Sequence, residues 1–395
     1  MDRNPPSVLF LSHGQVGFNF SHKKVFTMSA AVGTKFFGGT GFSRAALITL
    51  ALGSALSSVS AQTAGSLAKH GDISSLCGTK PAVVALTDGY GSAAWFKTTA
   101  AEFKDEMSKC KNVTKVLYLN ANGSQQKYNS DINSLVSQGV NVLVSFTHFG
   151  DASLPVFRNA TKAGVTVVPF FSQISGTPGK DYVSVVYQDP GPNGVMWADF
   201  LAKTVKTGNV IFLGGPPGAS SSQGFMDAFK AGLKKHPGLK LVEDNYIVTN
   251  WNPVDTQKAI AGLIAKYGKI DGIASDYGLT TNAAIKAFEQ AGLPIPAQAT
   301  LASSNEINCK YLEYKKAGKA WPYLSLDGTT TLARAAARRA MAAYSGAKSN
   351  EPLAWSPYAY ADSSAGIDPS CDTSLPPDAD LSGKLSIVAL KDLFK

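Results

Sequence analysis

Charged residues are scarce in this 395-residue chain, at 16%, and it holds only 5 His and 4 Cys. The cysteines form no CxxC pair and no Cys/His ladder, so the spacing of a structural zinc site is missing, as is the acidic spacing of a calcium-binding EF-hand loop. Three catalytic signatures are also lacking: the GxSxG nucleophile elbow, the HExxH zinc helix and the GxxxxGKS/T phosphate loop. No apolar run approaches the ~20 residues that cross a bilayer. Basic residues exceed acidic ones by 37 to 28, but beyond residue 61 the balance is only 32 to 27. A nucleic-acid binder concentrates its positive charge in a stripe; here the densest cluster, Arg334, Arg338 and Arg339, falls on one expected helix and reads as a solvated face. Hydrophobic residues are plentiful, at 44%, with 20 Phe, 14 Tyr and 5 Trp. That is material for buried cores, and the length suits two domains.

Residues 45–56, AALITLALGSAL, follow Lys35 and Arg44 and precede SSVSA, with small Val59 and Ala61 at the cleavage spacing. This is the pattern of a secretory signal cleaved after Ala61. Residues 1–61 are therefore expected to be leader and signal peptide, with Met28 the expected true start; left uncleaved, 45–59 would act as an anchor. Export favours disulfides, and all four cysteines lie beyond the cleavage position. Three pairings are possible. Cys77–Cys110 with Cys309–Cys371 is the expected one, because Cys77 precedes the first strand and Cys110 ends the helix after it, which places both at one sheet edge.

From Pro81 onward, short runs rich in β-branched and aromatic residues alternate with longer amphipathic stretches, the signature of parallel sheets covered by helices on both faces. Strands are expected at 82–88, 114–119, 141–146 and 165–171, and in a second series at 209–214, 240–248, 270–275, 299–304 and 321–327. The two series meet near Val185 to Pro190. Such sheets bind ligands beyond the carboxyl ends of their strands. The candidate site residues found there are Tyr90, Trp95, Phe171, Gln173, Gln223, Trp251, Asp276, Asn305, Ser325 and Asp327. Phe170 and Phe171 divide between core and site, since alternate strand residues face opposite sides. The loop GGPPGASSSQG (214–224) joins a strand to a helix, whose free N–H groups suit an anion or hydroxyl. Pro216 and Pro217 remove two of those donors, and no acidic residue stands at the ribose-binding distance, so no dinucleotide cofactor is expected.

The order of TDGYGSAAWFKTTAAEF (87–103), DINSLVSQGVNVLVSF (131–146), NATKAGVTVVPFF (159–171), GGPPGASSSQGFMDAFKAGL (214–233), ASDYGLTTNAAIKAFEQAG (274–292) and ASSNEI (302–307) resembles the periplasmic sugar-binding proteins of the ribose-binding type, substrate-binding components of ABC importers. The resemblance covers most of residues 80–346. It implies two similar α/β, doubly wound parallel-sheet lobes joined by a three-strand hinge, with one ligand held between them. By that analogy the first lobe is 80–186 plus 326–354 and the second 187–325 plus 356–395. The resemblance also implies that Trp95 and Trp251 pack against a sugar ring and that Asp276 binds ring hydroxyls. It places Asn305 where the family has an Asp, and Ser325 or Asp327 near a hinge-side Gln.

Two departures stand out. Where sugar-binding members carry an acidic and a basic residue after the fourth strand, this chain has Phe170-Phe171, and the Arg-containing segment after the Gly-rich loop reads SSSQGF. Two sources of charge-assisted hydrogen bonds, worth about 1.5–3 kcal/mol each, are thus replaced. A less hydroxylated or partly apolar ligand follows. The sequence reading is an exported, monomeric binding protein, not an enzyme and without cofactor or metal, that captures a sugar or sugar-like polar molecule for an inner-membrane ABC permease and binds no nucleic acid. Two alternatives stay open: a periplasmic partner of a sensor or chemoreceptor, and a binding protein for a non-sugar, partly apolar ligand.

Overall fold

The computed structural model describes residues 65–69, 71–91 and 93–395. The apolar run 45–56 and the cleavage position at Ala61 lie outside them. Among the described residues no helix is long and apolar enough to cross a membrane.

The first series of elements is β1 (Gly65–Ser66), β2 (Ala82–Asp88), α1 (Ala94–Ser108), β3 (Val113–Asn120), α2 (Gln125–Ser137), β4 (Val142–Phe146), α3 (Leu154–Lys162), β5 (Thr166–Phe171) and β6 (Val186–Gln188). The second is α4 (Pro190–Val205), β7 (Gly208–Gly214), α5 (Ser220–Leu233), β8 (Leu239–Leu241), β9 (Ile247–Val248), α6 (Pro253–Tyr267), β10 (Gly272–Ser275), α7 (Gly278–Gln290), β11 (Ala297–Leu301), α8 (Asn305–Lys316) and β12 (Tyr323–Leu326). The chain then returns through α9 (Leu332–Ser345) and β13 (Ala354–Ser356), and ends with β14 (Ala359–Asp362) and α10 (Ile387–Leu393).

These strands form two sheets. The first has the order β1-β13-β6-β5-β4-β2-β3 and is parallel throughout; the second has the order β14-β12-β11-β10-β7-β8, with β9 on the far end of β7 and only β14 antiparallel. The molecule is α/β with two doubly wound lobes. In each sheet the strand order reverses beside one strand, β2 in the first and β7 in the second. Strands buried on both faces read as continuous apolar runs, as in AVVALTD of β2, where six of seven residues are buried. The run expected as one strand at 240–248 is two, β8 and β9, which pair with opposite ends of β7.

The lobes are joined where the chain passes between the sheets: at Asp189, at 327–331 and at 357–358. These crossovers lie side by side. The Asp189 amide donates to the Trp355 carbonyl (2.8 Å), and the Asp327 amide donates to the Tyr358 carbonyl (3.0 Å). The Asp327 carboxylate in turn accepts from the Tyr358 amide (2.9 Å). The tail departs from the lobe assignment read from the sequence, which placed 356–395 wholly in the second lobe: Glu102 on α1 of the first lobe accepts the Lys384 amide (2.6 Å) and the Leu385 amide (3.1 Å).

Small residues set the closest packing. The alanines of α9 (Ala333, Ala335, Ala336, Ala337 and Ala340) are buried, as a helix laid closely against a sheet requires. Gly194 of α4 meets the backbone of α5 at Ala228, leaving no room for a Cβ. The expectation that Arg334, Arg338 and Arg339 form a solvated face is corrected: Arg334 is 5% and Arg338 2% exposed. Arg334 pairs with Glu102, Asp105 and Glu106 of α1. Arg338 bonds Glu106 (3.1 Å) and, through two nitrogens, Glu351 (2.6 and 3.1 Å). Buried charge of one sign is tolerable only when paired, and α1 supplies three carboxylates on the face that meets α9. Disulfides join Cys77 to Cys110 and Cys309 to Cys371.

Candidate functional site

The carboxyl ends of the two sheets face each other across a cleft holding a cavity of about 190 Å³. The first lobe contributes Tyr90 and Trp95 from the loop and first turn after β2, with Phe96, Phe146 at the end of β4 and Phe171 at the end of β5. The second contributes Phe225 of α5, Asn250 and Trp251 after β9, Asp276 and Tyr277 after β10, and Leu301 and Ala302 at the end of β11. Gly328 and Thr329 of the hinge close the back.

Aromatic rings dominate the first-lobe wall. Trp95 meets Phe96, Phe146 and Phe171 edge-on with ring centroids 4.9, 5.6 and 5.4 Å away. Its indole N–H donates to the Gly328 carbonyl (2.6 Å), so it offers the cleft no donor. In the second lobe the Trp251 indole N–H donates to Asp276 Oδ1 (3.0 Å), while the Ser222 hydroxyl donates to Oδ2 and itself accepts from the Gly215 amide (2.9 Å). Trp251 lies so close over Gly215 that a Cβ there would enter the ring. The Gly-rich loop thus serves by admitting an indole and orienting a serine. Burial pushes the Asp276 carboxyl up to about 7 against the hydrogen bonds from Ser222 and Trp251.

The lobes touch at the mouth. Tyr90 of the first lobe meets Trp251 of the second edge-on at 5.5 Å, and His148 packs against Tyr90 at 3.7 Å. Burial pushes His148 down to about 4, so it is uncharged at neutral pH.

Backbone strain converges on this cavity. Seven non-glycine residues among those described have positive φ, and five of them line it: Phe171 (98°), Asn250 (52°), Trp251 (50°), Ala302 (51°) and Thr329 (57°). A positive φ costs a bulky residue such as Phe or Trp of order 1–3 kcal/mol, and such strain gathers at functional sites.

Of the ten candidates read from the sequence, Tyr90, Trp95, Phe171, Trp251 and Asp276 line the cavity; the other five do not. Gln173 faces a separate groove beside Tyr182 and Leu353. Gln223 is exposed, and its amide donates one helical turn along to Asp227 (2.9 Å). Asn305 is buried under the tail, donating to the Asp372 carbonyl (2.6 Å) and accepting the Asp372 amide (3.0 Å). Ser325 is buried within β12 and donates to a neighbouring carbonyl (3.1 Å). Asp327 holds two hinge crossovers together. Phe170 is core and Phe171 lines the cavity, as the alternation of strand faces requires. Candidates the sequence reading passed over include Phe96, Phe146 and Phe225. Phe146 ends a buried strand and Phe96 follows Trp95 on the first turn of α1, so position at a strand end was the available signal for these two; Phe225 lies inside α5, one turn beyond Ser221, where no such signal exists.

A family model described as a periplasmic binding protein domain matches residues 83–348, about two thirds of the chain. The chain belongs to the periplasmic binding protein domain family. Among curated proteins it is 28% identical over 183 residues to the D-xylose-binding periplasmic protein of Escherichia coli, covering 45% of this chain and 54% of that protein. It is 25% identical over 205 residues to a xylitol-binding protein of Mycolicibacterium smegmatis, covering 51% and 57%. The chain therefore spans little more than half the length of these relatives. Among solved structures, the Caulobacter myo-inositol binding protein bound to myo-inositol matches 70% of this chain and 92% of that one, with a TM-score of 0.60 and 23% identity. A 5-methylthioribose transporter solute binding protein of Thermotoga lettingae matches 70% and 86%, with a TM-score of 0.59 and 20% identity. These likenesses establish the two-lobe family fold.

Proposed function

We propose that this protein is the exported substrate-binding component of an ABC importer: a binding protein rather than an enzyme, which holds a sugar or sugar-like molecule in the cleft and delivers it to a membrane permease. The observation that carries this reading is the aromatic cavity between the carboxyl ends of two parallel sheets, where five strained non-glycine residues converge. Family membership and the sugar- and polyol-binding relatives support it. Tyr90, Trp95, Phe171, Trp251 and Asp276 are the proposed ligand contacts. The ligand docks on one lobe of an open form, and contacts from the other stabilise closure. The Tyr90–Trp251 contact exists only with the lobes together, so it reports the closed state that a permease would recognise.

The test is a thermal-shift screen of the secreted protein against D-xylose, xylitol, myo-inositol, D-ribose and 5-methylthioribose, since a ligand that binds only the folded form raises the melting temperature. Calorimetry on the strongest binder then compares variants. Trp251→Ala is expected to weaken binding by about 1–3 kcal/mol through lost ring contact and buried area. Unchanged affinity in both Trp251→Ala and Trp95→Ala, or steady chemical turnover of a bound compound, would overturn the reading.

A further inference from the structure

The cavity has two unlike walls. On the first-lobe side Trp95, Phe96, Phe146 and Phe171 present ring carbons, the one N–H among them is spent on the Gly328 carbonyl, and the only side-chain hydroxyl among the described residues on that side is that of Tyr90 at the mouth. On the second-lobe side stand Asp276, whose two oxygens each have one partner and room for another, and the polar residues Ser221 and Asn250. No Lys, Arg or His is among the residues lining the cavity. An anion would find no countercharge there and would face the Asp276 carboxylate.

We propose that the ligand is an uncharged molecule with hydroxyl groups along one edge and a hydrocarbon, thioether or aromatic body along the other, in place of an evenly hydroxylated pentose, hexose or inositol. This rests on the binding-protein reading and narrows its ligand class. The hydroxylated edge faces Asp276; the apolar body lies against the first-lobe rings. A hydroxyl turned toward that wall leaves water without a replacement partner, which lowers affinity roughly ten-fold for each such group. The volume agrees. A cavity of about 150 Å³ lined by apolar side chains holds benzene, so about 190 Å³ takes a single ring with a short substituent.

The decisive comparison uses pairs that differ in how their hydroxyls are distributed. Calorimetric titration of the secreted chain with cis-1,2-cyclohexanediol against myo-inositol, and with 5-methylthioribose against D-ribose, is expected to favour the first of each pair by at least ten-fold. A variant tests the wall itself. Phe171 has φ 98°, a region that Asn enters more readily than Phe, so Phe171→Asn keeps the backbone while placing an amide on the apolar side. It should reduce both preferences by roughly ten-fold, with circular dichroism showing the fold intact. If myo-inositol or D-ribose binds as tightly as its partner, the ligand-class inference falls and the binding-protein reading stands. Tighter binding of cyclohexylamine than of the diol also overturns the inference, since it makes the ligand a cation. If none of these compounds, D-xylose or xylitol binds, both the inference and the sugar-type reading fall.

Discussion

Asp276 and His148 pull the pH dependence of this cleft in opposite directions. Burial raises the Asp276 carboxyl from an ordinary 3.8 to about 7, so the folded protein holds a proton that the unfolded chain releases. Stability from this group is therefore full below about pH 4 and declines as pH rises toward 7. Asp276→Asn should flatten that decline in denaturation midpoints measured from pH 4 to 7; an unchanged slope would contradict the assigned burial. His148 has the reverse sign. Burial lowers it from 6.5 to about 4, so its contribution is full above pH 6.5 and fades as pH falls through that window. Much of the site was legible at this scale, because Trp95, Trp251 and Asp276 all follow strand ends where loops diverge. The polar candidates strayed for a common reason. The side-chain amides of Gln223 and Asn305 find partners nearby, one within its own helix and one in a tail 67 residues further on. Sequence position shows that an amide is near the cleft, not which partner takes it.

The pairing of α1 with α9 shows where pattern reading failed among elements. Three arginines on a helix look solvated when the helix is considered alone. The α1 partners of Arg334 and Arg338, Glu102, Asp105 and Glu106, lie more than 220 residues upstream, and only the fold brings α1 across. Arg338→Ala leaves Glu351 without its cation while Glu106 keeps Arg334 and Lys109, and should cost about 3 kcal/mol in chemical denaturation; a loss below about 1 kcal/mol would mean that solvent replaces the guanidinium. The alternation of strands and helices was read correctly, since a helix and a strand each need one period to hold over their length. The short strands β1, β6, β13 and β14 escaped because two to four residues are too few for any period to show. The Cys309–Cys371 disulfide anchors to α8 the tail that goes on to reach α1. Replacing both cysteines by Ala should lower stability by about 2–4 kcal/mol, with unchanged denaturation midpoints as the contrary result.

For the whole molecule, two similar lobes, three adjacent crossovers and an aromatic cavity at the facing sheet ends amount to a clamp. Its two-lobe plan was visible in the paired series of strands and in the resemblance to ribose-type binding proteins. The path of the tail was not, because residues 363–395 carry little regular structure and their position depends on contacts with α8, the hinge and α1. The clamp account makes closure the functional event, with the Tyr90–Trp251 contact formed when a ligand bridges the walls. Small-angle X-ray scattering of the protein, with and without the compound that gives the largest thermal shift, tests this most directly. The account predicts a smaller radius of gyration in the bound form and no such change in Trp251→Ala at the same ligand concentration. A saturated protein whose scattering is identical to that of the free open form would contradict it.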